Sequence, residues 1–368
     1  MTDTPQAGMA EATRLTRAGR LSEATALIQR LLHGGDAPPQ PERPMPAAPP
    51  PEPQPGLLHR LMDGLRGLVR GEPEHPASTD ATGGRFVAAS FTNAAGTRAY
   101  KLFIPAAAGE RPLPLVVMLH GCTQSPDDFA AGTGMNRLAE EHGCYVAYPA
   151  QDQRANPQRC WNWFQPGDQA RDGGEPSLIA GIAREIMAQH RVDPARVYVA
   201  GLSAGGAQAS IMAAAYPDLF AAAGVHSGLA CGVARDLPSA LTAMRQGPNG
   251  ATTSGNGRLV PTIVFHGDQD RTVNPLNGDH VLRQALGASA GLRSELEEGK
   301  AAGGLAYSRT VYQDSDGRAV LERWTVHGAG HAWSGGSPDG TYTDPRGPDA
   351  SREMLRFFLA HRRDAGSN

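Results

Sequence analysis

Cysteine, long apolar runs and surplus charge are all scarce in this chain, and each shortage removes a class of protein. Only four cysteines occur among 368 residues, at 122, 144, 160 and 231, and no two have the CxxC spacing of a zinc or thioredoxin-type site. A disulfide-built small fold is excluded, and no metal is indicated. No apolar stretch approaches the roughly 18–20 residues of a membrane-spanning helix, so no transmembrane span is expected. The formal net charge is only -3, with charged residues at 19%, which gives the molecule as a whole no electrostatic case for nucleic acid or an anionic membrane. An uninterrupted apolar leader is missing too. Glu11, Arg14, Arg17, Arg20, Glu23 and Arg30 break up the first thirty residues, so no signal peptide is expected and the cytoplasm is favoured.

What is present in excess is proline, and it is concentrated. Residues 36–56 read DAPPQPERPMPAAPPPEPQPG, about half proline, which favours solvated polyproline II over packed structure. This segment is expected to be a linker, with a role as a PxxP ligand as the lesser alternative. Residues 1–35 before it carry Leu15, Leu21, Leu27, Ile28, Leu31 and Leu32 at helical intervals, which predicts a small amphipathic hairpin. In residues 57–84 after it, Leu57, Leu58, Leu61, Met62, Leu65, Leu68 and Val69 form one stripe beside His59, Arg60, Arg66 and Arg70. That pattern predicts a basic amphipathic helix and a polar connector. Docking on the main domain is the simpler role for these helices, and contact with a granule surface is the rival.

From residue 85 the pattern turns to strands alternating with helices. Strands are expected at 86–92, 100–104, 115–119, 145–148, 197–200, 222–226, 262–265 and 320–325, several of them continuous apolar runs of the kind buried parallel strands need. Helices are expected at 127–142, 176–189, 204–216, 275–286 and 349–361. The alternation predicts an α/β class with a mostly parallel, doubly wound sheet over 85–362, followed by a tail at 363–368.

Chemistry concentrates at four strand ends. GLSAG at 201–205 follows an apolar strand and precedes an Ala-rich helix, the strand-to-helix elbow in which a serine hydroxyl projects at a helix N-terminus. Ser203 is the expected nucleophile. A serine needs a base, and the base needs a carboxylate to orient it, supplied later in the chain in the order acid then histidine. FHGDQDRTV at 265–273 offers Asp270, with Asp268 as its rival. VHGAGHAW at 326–333 offers His331 as the base, with His327 as its rival. The loop LHGCTQ at 119–124 follows a strand at the place where an oxyanion donor belongs. The backbone N–H groups of Cys122 and Ala204 are the expected pair, with His120 a brace rather than a base. Trp161 and Trp163 flank Asn162 and would face one way in an extended segment, either toward substrate or as a core pair.

The joint occurrence of LHGCTQS at 119–125, NPQRCWNWF at 156–164, GEPSLIAGI at 174–182, VYVAGLSAGGA at 197–207, FHGDQDRTV at 265–273 and GAGHAWSGG at 328–336 resembles the poly(3-hydroxybutyrate) depolymerase esterases, which are α/β-hydrolases akin to feruloyl and acetylxylan esterases. The resemblance spans residues 85–362. It implies a serine esterase without cofactor, acting through an acyl-enzyme on a polyester or a small ester, with Ser203, Asp270 and His331 as triad and Cys122 and Ala204 as oxyanion hole. It also implies that Trp161 lines the cleft and that Cys122 pairs with Cys160 in a disulfide. That pairing and the family's secreted members point to an extracellular compartment, against the missing leader. Rival readings are a feruloyl or acetyl esterase of the same fold, and a granule-binding scaffold whose site is vestigial.

Overall fold

The computed structural model describes residues 78–79, 83–247, 260–287 and 291–363. The expectations for 1–35, 36–56 and most of 57–84 lie outside the described residues, as does the tail beyond residue 363.

Strands β1 (Ser78–Thr79), β2 (Arg85–Asn93), β3 (Gly96–Ile104), β4 (Leu113–Leu119), β5 (Tyr145–Pro149), β6 (Val192–Leu202), β7 (Ala222–His226), β8 (Thr262–Gly267), β9 (Arg293–Lys300), β10 (Ala306–Gln313) and β11 (Ala319–Val326) form one eleven-stranded sheet. Their order is β1-β2-β3-β5-β4-β6-β7-β8-β11-β10-β9. The centre, β5-β4-β6-β7-β8-β11, is parallel, and both flanks are antiparallel. Helices are α1 (Pro126–Thr133), α2 (Met135–His142), α3 (Gly174–Gln189), α4 (Ala204–Ala215), α5 (Leu237–Gln246), α6 (Leu276–Leu286) and α7 (Ala350–Leu359).

Strand β4 explains why the helices lie on both faces. All seven of its residues are buried, and successive side chains point to opposite faces. Leu115, Val117 and Leu119 join Ile179, Ile182 and Ile186 of α3 and Ile211 and Met212 of α4 in one core. Val116 and Met118 join Leu138 of α2 and Met354, Phe357 and Phe358 of α7 in the other. Among the described residues β4 therefore separates one core from another across the sheet, the doubly wound arrangement expected of the chain.

Each of the eight expected strands is present, seven with longer bounds and 222–226 unchanged. The single helix expected at 127–142 is two. Gly134, at φ 60°, caps α1 through its N–H to the Ala130 carbonyl, and no helix continues through a left-handed residue. Strands β9 and β10 were not anticipated. RSELEEGK in β9 is exposed at nearly every position, as an edge strand carrying charge can be, so it has no hydrophobic alternation to read. Helix α5 was also missed, although Asp236 and Ser239 form a capping box at its start.

Candidate active site

Ends of the parallel strands bring the candidate residues to one edge of the sheet. Ser203 follows β6 directly and has φ 57° and ψ -118°, a backbone that a non-glycine residue adopts only when its surroundings enforce it. The flanking glycines show how tight those surroundings are. A Cβ on Gly205 would lie 2.0 Å from the Leu119 carbonyl oxygen, and one on Gly201 would lie 2.3 Å from the Gly205 carbonyl. The elbow thus packs backbone to backbone against the end of β4, where the oxyanion loop begins.

Among the described residues, neither the Cys122 N–H nor the Ala204 N–H is taken by another group. Ala204 opens α4, so its N–H is one of the unpaired donors at a helix N-terminus, reinforced by the helix dipole. The loop carrying Cys122 is held from several sides. Gly121 N–H donates to Gln124 Oε1 at 2.9 Å, and Thr123 N–H donates to the Gln158 carbonyl at 2.7 Å. Cys122 and Cys160 form the implied disulfide, with Cα atoms 4.2 Å apart.

Asp270 and His331 meet. The imidazole Nδ1 donates to Asp270 Oδ2 at 2.7 Å, which leaves Nε2 to act as acceptor. Asp270 Oδ1 accepts from Thr272 N–H and Val273 N–H, each at 2.9 Å. Burial alone would push this carboxyl up, but hydrogen bonds from His266 and His331, with the charge of His331, outweigh it and hold Asp270 well below the usual carboxylate range. It is therefore an anion fixed in place. Ser203 Oγ has no hydrogen-bond partner among the described residues, His331 Nε2 included.

The rivals sort themselves by pairing with each other. His327 Nδ1 donates to Asp268 Oδ2 at 3.0 Å, and Gly328 N–H donates to Asp268 Oδ1 at 2.8 Å. With Nδ1 so engaged, His327 Nε2 accepts from the Ser308 hydroxyl of β10 at 2.7 Å. Asp268 bonds loop amides and binds the loop leading to His331.

His120 is the brace expected of it. Its Nδ1 donates to the Gly121 carbonyl at 2.7 Å and its Nε2 accepts from Gln151 N–H at 3.0 Å; burial pushes its pKa down to about 4, so it stays neutral. The cleft-lining role for Trp161 needs correction. The ring is fully buried, and its Nε1 donates to the His120 carbonyl at 3.0 Å, so it supports the oxyanion loop from beneath and offers no face to a polymer. Trp163 is also buried, and packs edge-on against Phe164.

Two supporting residues escaped the sequence reading. His226, at the end of β7, accepts from Ser334 N–H through Nε2 at 3.0 Å while its carbonyl accepts from Ser203 N–H at 2.9 Å. It joins the elbow to the segment after His331. Complete burial holds its pKa down to about 3, and it stacks against Trp333 and Phe265. Glu175 at the start of α3 accepts from Asn162 N–H at 2.8 Å, Asn162 Nδ2 at 3.0 Å and Gln151 Nε2, which anchors the tryptophan loop. Burial, then the charge of Asp168, pushes its pKa up to about 7. GEPSLIAGI was a visible signal for Glu175; nothing in the spacing of His226 marked it.

A mostly parallel sheet with helices on both faces and a strained serine at a strand-to-helix elbow define the α/β-hydrolase fold. The described fold agrees with that of the acetyl xylan esterase from Aspergillus awamori, with TM-score 0.59 at 21% identity over 74% of this chain and 99% of that one. Residues 98–295 match the family model described as esterase PHB depolymerase, and the chain belongs to that family. Similar proteins include the poly(3-hydroxyalkanoate) depolymerase C of Paucimonas lemoignei, 35% identical over 63% of this chain and 56% of that one. Feruloyl esterase B of Thermothelomyces thermophilus is 29% identical over 50% of this chain and 67% of its own. The chain spans about half the length of two polyester depolymerases it is similar to, 56% and 48%.

Proposed function

We propose that this esterase cleaves short-chain polyhydroxyalkanoate, or oligomers of it, by acyl transfer to Ser203. His331 Nε2 takes the proton from Ser203 Oγ as the hydroxyl attacks the ester carbonyl. The Cys122 and Ala204 N–H groups receive the oxyanion; neither has another partner among the described residues, and donors fixed before the reaction need no reorganisation. His331 then protonates the leaving alkoxide, which is the hydroxyl of the next unit. Water repeats the sequence on the acyl-enzyme and releases a 3-hydroxyacid. Asp270 stays ionised throughout and stabilises the imidazolium through Nδ1.

The observation that carries this reading is the 2.7 Å His331–Asp270 hydrogen bond, which leaves Nε2 available, on the same sheet edge as the strained Ser203. A polyester is favoured over a feruloyl or acetyl ester because the polyhydroxyalkanoate depolymerase is the more similar relative, 35% against 29% identity. Turnover of 3-hydroxybutyrate trimer, methyl ferulate and p-nitrophenyl butyrate, compared side by side, tests it. The reading expects the trimer to have the highest kcat/KM of the natural-type esters, and a strong preference for ferulate overturns it.

A further inference from the structure

Beside the oxyanion loop lies a cavity of about 430 Å³, walled by Thr123, Gln124, Ser125, Asp128, Arg159 and the segment Thr341–Tyr342. Most of its polar groups are already committed. The Thr123 hydroxyl donates to the Cys122 carbonyl at 2.6 Å, so the Tyr342 phenol, 3.2 Å away, donates to Thr123. Gln124 Nε2 donates to Asp128 Oδ2 at 2.7 Å and to the Thr341 carbonyl at 3.1 Å. Asp128 also accepts from Thr341 N–H at 2.9 Å and from the Thr341 hydroxyl at 2.6 Å, so its carboxylate is consumed by the wall. Ser125 Oγ accepts from Asp128 N–H at 3.2 Å. Two donors remain: the Ser125 hydroxyl hydrogen and the half-buried Arg159 guanidinium, which has no carboxylate partner among the described residues. A ligand here must supply acceptors, and a planar anion suits a guanidinium best.

Its rim is rigid. Thr123, Arg159 and Tyr342 have φ of 68°, 51° and 53°, three non-glycine residues in the left-handed region around one cavity. Such conformations persist only where neighbouring structure enforces them. Here the disulfide joins Cys122, next to Thr123, to Cys160, next to Arg159, and Thr123 N–H is tied to Gln158. Arg159 is thereby held at a fixed place relative to the Cys122 N–H.

We infer that this cavity binds the free carboxylate at the end of a hydroxyacyl ester chain, with Arg159 as the residue that selects for it. This rests on the polyester reading above. In such a chain every internal carbonyl is an ester and only the terminal unit is charged, and that unit lies on the side that leaves as the alcohol. Short anionic oligomers are then the preferred substrates, with the carboxylate on Arg159, the exposed Tyr342 ring against the methyl-bearing backbone and the scissile carbonyl over Ser203.

The test compares the 3-hydroxybutyrate dimer as free acid and as methyl ester, using the wild type, Arg159→Ala, Arg159→Lys and Arg159→Asn; asparagine tolerates the left-handed backbone at 159. The wild type should favour the acid about tenfold in kcat/KM, through KM, and 0.5 M salt should shrink the ratio. Arg159→Ala and Arg159→Asn should bring the ratio to about one, with Arg159→Lys in between. A wild-type ratio near one, or a ratio unmoved in the variants, overturns the inference while leaving ester hydrolysis at Ser203 intact. If neither dimer is cleaved while Ser203-dependent turnover of p-nitrophenyl butyrate persists, the polyester reading fails and the inference fails with it.

Discussion

Asp268 and His327, the rivals of Asp270 and His331 in the sequence, are hydrogen-bonded to each other at 3.0 Å. Asp270 and His331 repeat the same contact at 2.7 Å two and four residues further along. The two pairs differ in burial. The side chain of Asp270 is fully buried and that of His331 12% exposed, against 34% and 42% for Asp268 and His327. The outer pair closes the loop; the inner pair lies deeper, as the proposed acid and base would.

Substitutions should separate the two pairs. Asp270→Asn is expected to lower kcat by about 10³–10⁴-fold, because the amide cannot hold Nδ1 protonated and Nε2 free. His327→Ala and Asp268→Asn should cost no more than about tenfold and lower stability by about 1 kcal/mol, as expected for a partly exposed pair. Steady-state turnover of p-nitrophenyl butyrate with a thermal melt of each variant checks this, and a reversed ranking would reassign the triad.

Acid should destabilise the fold through its buried histidines. His120 and His226 stay neutral in the folded chain down to about 4 and about 3, whereas their unfolded counterparts take up protons near 6.5. The unfolded state therefore binds more protons across that window; the stability is fully present above pH 6.5 and is lost as pH falls toward 4. Glu175 runs the other way. Its folded pKa of about 7 exceeds the ordinary 4.5, so its contribution is fully present below 4.5 and is lost as pH rises through 7. Denaturant melts from pH 4 to 7.5 should show the histidine trend, and Glu175→Gln should steepen the acid loss; an unchanged slope in that variant contradicts the assignment to Glu175.

Reduction should reach the site as well as the fold. The Cys122–Cys160 bond spans a sequence separation of 38 residues, for which the loss of a cross-link costs about 3–4 kcal/mol in the chain-entropy account. It also tethers the residue whose N–H is assigned to the oxyanion. Cys160→Ser is expected to lower both the melting temperature and kcat, and full activity in dithiothreitol would show that the loop keeps its place through Gly121, Thr123 and His120 alone.

The core strands and Ser203 were legible because buried parallel strands are written as apolar runs and the elbow needs glycine on both sides of its serine. Between Asp270 and Asp268 the sequence offers only a preference, since the two differ in burial and partner, which spacing does not encode. Trp161 was misplaced for a similar reason: period-two spacing says which residues share a face but not which way the face points, and the ring turned inward to the His120 carbonyl. His226 acts through its backbone carbonyl and a ring acceptor, neither of which leaves a compositional mark.

Central to all of this is Ser203 as the acylated residue, and a fluorophosphonate label followed by peptide mass mapping addresses it most directly. The account predicts one adduct, on the peptide containing Ser203, with turnover abolished in step with labelling and absent in Ser203→Ala. A label on another serine, Ser308 of the His327–Asp268 pair above all, or hydrolysis retained by Ser203→Ala, would contradict it.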